Sequence, residues 1–102
     1  MNTDNLITNI IEGIENVKGL NINILDLRAI ENVVCKYFIV CSGSSTTQVN
    51  AITGSIRKCV SKEIGEKPWH IEGEENSKWV LMDYVDIVVH VFNEETREYY
   101  KI

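Results

Sequence analysis

No run in this chain approaches the roughly 20 consecutive apolar residues that a membrane-spanning helix needs. Its opening, Met-Asn-Thr-Asp-Asn-Leu-Ile, has neither the cationic start of a signal peptide nor the Arg-rich bias of a transit peptide. The expectation is a soluble, cytoplasmic protein with no membrane partner. Cysteine is scarce: Cys35, Cys41 and Cys59 form no C-x-x-C pair, and an odd number among apolar neighbours reads as reduced core thiols of a cytosolic protein. The only histidines, His70 and His90, have no Cys or acid at zinc-finger or H-E-x-x-H spacing, so no metal is expected. Internal repeats, linkers and low-complexity stretches are also missing, which leaves one domain over residues 1–102.

What is present is an ordinary globular balance, 44% apolar and 25% charged, in a chain long enough to bury a core. The net charge of −5 disfavours non-specific binding to nucleic acid or anionic membranes. That charge is unevenly placed. Residues 45–62 hold Arg57, Lys58 and Lys62 and no acid, whereas residues 63–102 hold ten acids against four bases. An acidic C-terminal half suits a basic protein surface.

Leu6, Ile7, Ile10, Ile11, Ile14 and Val17 recur at helical spacing and predict a helix over about 4–18, capped by Thr3 or Asp4 and stopped by Gly19. Residues 21–28 alternate as a half-buried strand. Residues 36–41 are almost continuously apolar, which predicts a strand buried on both faces and central in the sheet. Ser42-Gly43-Ser44-Ser45 ends it, and Ser45 with Gln48 has capping-box spacing for a helix to about Lys62, closed by Gly65 and Pro68. Short strands follow at 69–72, 78–84 and 86–92, and Asn93 caps a last helix through Tyr100. The order αββαβββα predicts an α/β fold. Strands flanking the middle helix should run parallel and the last three largely antiparallel, in one mixed five-stranded sheet packed with helices.

The strand–Gly-Ser–helix unit presents amides that could hold phosphate. Nucleotidyltransferases add paired carboxylates downstream for Mg²⁺, and residues 45–62 have none. Asp83 and Asp86 stand three apart across a strand end, so they do not point the same way. A tight turn and a capped helix explain the motif without a ligand. No nucleophile assembles either, because Gly43-Ser-Ser-Thr-Thr47 does not match G-x-S-x-G. Trp79 shares a strand face with Leu81 and Asp83. Facing out, Trp79 and Asp83 would make an aromatic anchor beside an acid; facing in, Trp79 would fill the core.

The run Trp79-Val-Leu-Met-Asp83-Tyr-Val-Asp86-Ile-Val-Val-His90-Val-Phe92 resembles the signature of the ribosomal silencing factor (RsfS, or Iojap) family, roughly W-x-x-x-D-[YLF]-G-D-V-V-V-H-x-F. Leu25-Asp-Leu27, Tyr37-Phe-Ile-Val-Cys-Ser-Gly43, Gln48-Val49, Ala51-Ile52, Glu72-Gly73 and Arg97-x-Tyr99-Tyr100 match further family blocks in order, over about residues 6–101. The resemblance implies a nucleotidyltransferase-like fold without catalytic carboxylates, no cofactor and no enzyme activity. It also implies binding to the large ribosomal subunit through its ribosomal protein numbered fourteen. Bound there, the protein would block the small subunit and repress translation; some members are linked to ribosome biogenesis. Carried over to this sequence, the partner-binding residues would be Trp79, Asp83 and Asp86, with His90 and Tyr84 behind them; Asp86 could instead cap the turn, and His90 fix the sheet.

Two departures stand out. Val85 replaces the family's usual glycine, so the turn either needs no positive φ or accepts strain. Lys36 stands where an acid or small polar residue often precedes the tyrosine. The alternatives are a nucleotide-binding enzyme built on Gly43-Ser44 and the Asp83/Asp86 pair, and a homodimeric scaffold joined at a sheet edge.

Overall fold

The computed structural model describes residues 3–101. Its elements run α1 (Thr3–Asn16), β1 (Leu20–Asp26), β2 (Tyr37–Gly43), α2 (Thr46–Ile64), β3 (His70–Glu72), β4 (Trp79–Asp83), β5 (Ile87–Asn93) and α3 (Glu94–Tyr100). The strands form one sheet in the order β1-β2-β5-β4-β3. β2 and β5 are parallel, and the other three neighbouring pairs are antiparallel. The αββαβββα order and the mixed five-stranded sheet therefore hold.

α2 carries the chain over from β2 to β3. Pairing through β5 and β4 leaves β2 and β3 pointing the same way, as a crossover helix requires. The two are not neighbours, because β4 and β5 insert between them and put β5 at the centre.

The core lies on one side of the sheet. Leu6, Ile10 and Ile14 from α1 and Val49, Ile52, Ile56 and Val60 from α2 meet Ile39, Cys41, Val80, Met82, Ile87, Val89 and Val91. On α2 Val60 is buried; of the three cysteines expected in the core only Cys41 is buried, while Cys35 and Cys59 are half-buried and Cys59 Sγ accepts from Asn16 Nδ2 at 3.6 Å. The two helices approach closely at Gly13, where an added Cβ would lie 2.8 Å from the Cα of Ile56. There Ser55 Oγ donates to the Gly13 carbonyl at 2.7 Å.

Local details differ from the sequence reading in four places. Thr3 and Asp4 lie within α1 and do not precede it as caps. After α1 the left-handed residue is Lys18, at φ 59°, and Gly19 instead donates its amide to the Ile14 carbonyl at 2.9 Å. β1 is not half-buried: only Ile22 is partly covered, because no helix lies over this edge strand. The capping box is also rearranged. Ser45 Oγ accepts from Gln48 N at 3.1 Å as expected, but Gln48 Oε1 takes Ser44 N at 2.6 Å and Ser44 Oγ at 2.8 Å. Gln48 Nε2 then donates to the Val17 and Lys18 carbonyls, at 3.3 and 3.0 Å, fastening the start of α2 to the end of α1. Gly65 and Asn93 cap their helices as read from the sequence.

Candidate functional site: the open face of the sheet

Side chains alternate along a strand, so the residues between those of the core form a second face. On β4 these are Trp79, Leu81 and Asp83, since Val80 and Met82 are buried beneath the helices. On β5 they are Val88, His90 and Phe92, and on β2 Phe38, Val40 and Ser42. Register aligns them in rows across the sheet: Leu25, Phe38, Val88, Asp83 and His70 in one, and Asn23, Val40, His90, Leu81 and Glu72 in the next. The third row holds Ser42, Phe92 and Trp79. Here α3 lies against the sheet, with Arg97 Nη1 donating to Ser42 Oγ at 2.8 Å and to the Asn21 carbonyl at 2.7 Å.

Trp79 therefore faces outward, 38% exposed, at one end of this surface. Its ring stacks on Phe92 at 4.8 Å between centroids, and Tyr100 leans on it at 5.5 Å. The indole Nε1 donates to His90 Nδ1 at 3.1 Å. An imidazole that accepts at Nδ1 is neutral and carries its proton on Nε2. That Nε2–H is buried without a partner, while Phe38 meets the ring edge-on at 4.8 Å. Burial holds the His90 pKa below its ordinary value.

Asp83 ends the open face on β4, and its carboxylate is turned onto the following loop, accepting from Val85 N at 2.8 Å. Asp86 is engaged by this chain's own groups. Its carboxylate accepts from the Thr3 hydroxyl at 3.4 Å and lies 3.7 Å from Lys36 Nζ, and its carbonyl accepts from Lys36 N and Tyr37 N. Lys36 thus has a role that the sequence did not suggest. Tyr84 is in the core, 2% exposed, on the helix side of the sheet. Its hydroxyl has no partner, and burial pushes its pKa up to about 12. The structure thus unites Trp79 and His90, places Asp83 at the far end of the same face, and puts Tyr84 beneath it.

Val85 resolves the question its identity raised. It takes φ 76°, and Asp86 N donates to the Tyr84 carbonyl at 3.0 Å across it, a γ-turn in a β-branched residue. Such backbone costs on the order of 1–3 kcal/mol. The turn accepts strain.

Sequence reasoning overlooked Phe38, Val88 and Leu25 as members of the open face. Alternation along β2 and β5 could have found the first two. Trp69, 79% exposed just before β3, was also passed over.

The phosphate reading of Gly43-Ser44 meets a geometric obstacle, since Ser44 N is taken by Gln48 Oε1 and Gln48 N by Ser45 Oγ. Among the described residues no group of three or more His, Cys, Asp or Glu side chains could hold a metal. No described helix is long and apolar enough to cross a membrane.

The chain is thus a mixed-sheet α/β protein with α1 and α2 packed on one side and an aromatic, largely apolar second side that α3 covers at one end. The family model "Ribosomal silencing factor during starvation" matches residues 1–102, and the chain belongs to that family, whose role is regulatory and not enzymatic. It is 32% identical over 102 residues to ribosomal silencing factor RsfS of Halalkalibacterium halodurans, covering all of this chain and 86% of that one. Over 78 residues it is 41% identical to RsfS of Bacillus subtilis, 76% of this chain and 64% of the relative. A crystal structure of a Chromobacterium violaceum protein superposes with a TM-score of 0.90 at 35% identity, covering 99% of this chain and 82% of that one.

Proposed function

We propose that this chain binds the large ribosomal subunit through the open face of its sheet and thereby excludes the small subunit. Translation is then repressed by occupancy alone. The observation that carries the reading is Trp79: an outward indole, fixed by Phe92, Tyr100 and His90 on a rigid strand, is the residue type and setting of a binding anchor. The partner is the ribosomal protein numbered fourteen. A basic ribosomal protein suits a chain whose residues 63–102 carry a net charge of −6, from ten acids and four bases. Asp83 and Asp86 lie at the end of the sheet where such a surface would approach. The setting is cytoplasmic, and the same occupancy would allow a part in large-subunit biogenesis. A second copy can join at the exposed edge strand β1.

The test is subunit joining, followed by light scattering as purified subunits are mixed. The chain preincubated with large subunits should lower the amplitude of joining in proportion to occupancy, and excess small subunit should restore it. Unchanged joining at saturating protein would contradict the reading.

A further inference from the structure

Trp79 pairs with Phe92 and Leu81 with His90, so Trp79 and His90 are diagonal neighbours across β4 and β5. Their rings lie 6.0 Å apart, and the indole Nε1–H reaches His90 Nδ1 at 3.1 Å. Indole donates and does not accept, so this bond exists only while Nδ1 carries a lone pair. The other ring nitrogen, Nε2, is buried and has no partner. A second proton would leave His90 with two donors and no acceptor. Nδ1–H would then face the indole N–H, donor against donor, and the contact would break.

The surroundings give such a charge little to pair with. On β2 the groups beside His90 are Phe38, edge-on at 4.8 Å, and Val40. On β4 they are Leu81 and Trp79, and along β5 the stacked ring of Phe92. From α3 come Tyr100, which leans on Trp79, and Arg97, a cation already donating to Ser42 Oγ and the Asn21 carbonyl, with Glu94 and Glu98 around it. Helices α1 and α2 lie behind the sheet, against Val89 and Val91. The carboxylates at the rim are engaged. Asp83 accepts from Val85 N, and Glu72, two strands along the row of His90, lies 2.8 Å from His70 Nε2. Burial alone moves the His90 pKa, and moves it down.

We propose that His90 is the positioning residue of the Trp79 anchor and makes binding to the large subunit depend on one proton. Neutral imidazole fixes the indole in its binding position, and imidazolium releases it. The inference rests on the proposed function and adds a means of regulating it. Affinity is full while His90 is neutral and falls as pH drops through its folded pKa, which lies below the ordinary imidazole value. His90 acts on the partner through Trp79, so its effect on affinity should vanish when the indole is removed.

The experiment measures affinity for isolated large subunits from pH 8 down to pH 5.5, for the wild-type chain, His90→Asn and Trp79→Ala. NMR of the free wild-type chain follows the Trp79 indole N–H over the same range, the signal being identified by its loss in Trp79→Ala. Wild-type affinity should fall towards acid by roughly threefold to tenfold, the worth of one hydrogen bond. His90→Asn keeps an oxygen acceptor that does not titrate, and retains His70, so its profile should be flatter. Trp79→Ala should bind weakly with a profile as flat. The indole signal should shift together with the His90 ring protons. Parallel acid losses in wild type and His90→Asn, or an indole signal that stays still while His90 titrates, would overturn the proton dependence and leave the proposed function standing. Wild-type protein that does not bind the large subunit at neutral pH would overturn both.

Discussion

His90 occupies the middle row of the open face, neutral because its Nδ1 accepts from the Trp79 indole and because burial disfavours the imidazolium. Its folded pKa lies below the unfolded value, so the folded protein binds this proton less readily than the unfolded chain. The stabilisation from neutral His90 is complete above the unfolded pKa of about 6.5 and is lost as pH falls through the folded one. Denaturant titrations from pH 7 to pH 5 should show stability falling in the wild type and falling less steeply in His90→Phe. Equal slopes would remove His90 as the cause. The sequence showed that Trp79, Leu81 and Asp83 share a face but not which face, because Val80, Met82 and Tyr84 make an equally apolar set. Only the position of the two helices decides it. Val85 was legible as an anomaly, and its left-handed backbone became visible only with the turn in place.

At the level of elements, periodicity placed all three helices and all five strands near their observed positions. The misses were ends and coverings. Burial of β1 was misjudged because an apolar alternation cannot report that no helix lies over that edge. The order of strands was not legible either, since insertion of β4 and β5 between β2 and β3 is a long-range choice. The α1–α2 contact shows the same limit. An exposed helical glycine replaced by alanine normally gains about 1 kcal/mol. Gly13 faces the Ile56 backbone at a distance no Cβ tolerates, so Gly13→Ala should lose on the order of 1–3 kcal/mol, as overpacking does. Chemical denaturation would check this, and a stabilised variant would mean that the helices separate freely.

For the molecule as a whole, division of labour between the two sides of the sheet is what would let 102 residues both fold and bind as proposed. One side packs its apolar residues against α1 and α2, and the other carries Trp79, partly exposed over a buried Phe92, as the proposed anchor. The net charge of −5 disfavours non-specific contact with bare nucleic acid and has the sign that the proposed basic partner would complement. The family resemblance made the candidate site legible only as a list of residues. The structure separates Trp79, His90 and Asp83 on the face from Tyr84 beneath it and from Asp86, held by Lys36 and Thr3. The most direct measurement is co-sedimentation of the chain with isolated large and small ribosomal subunits, beside Trp79→Ala. The account predicts that the chain pellets with the large subunit only, and that the variant binds more weakly by about 2 kcal/mol or more, as loss of an anchor should. Equal binding by wild type and variant, or pelleting with neither subunit, would contradict it.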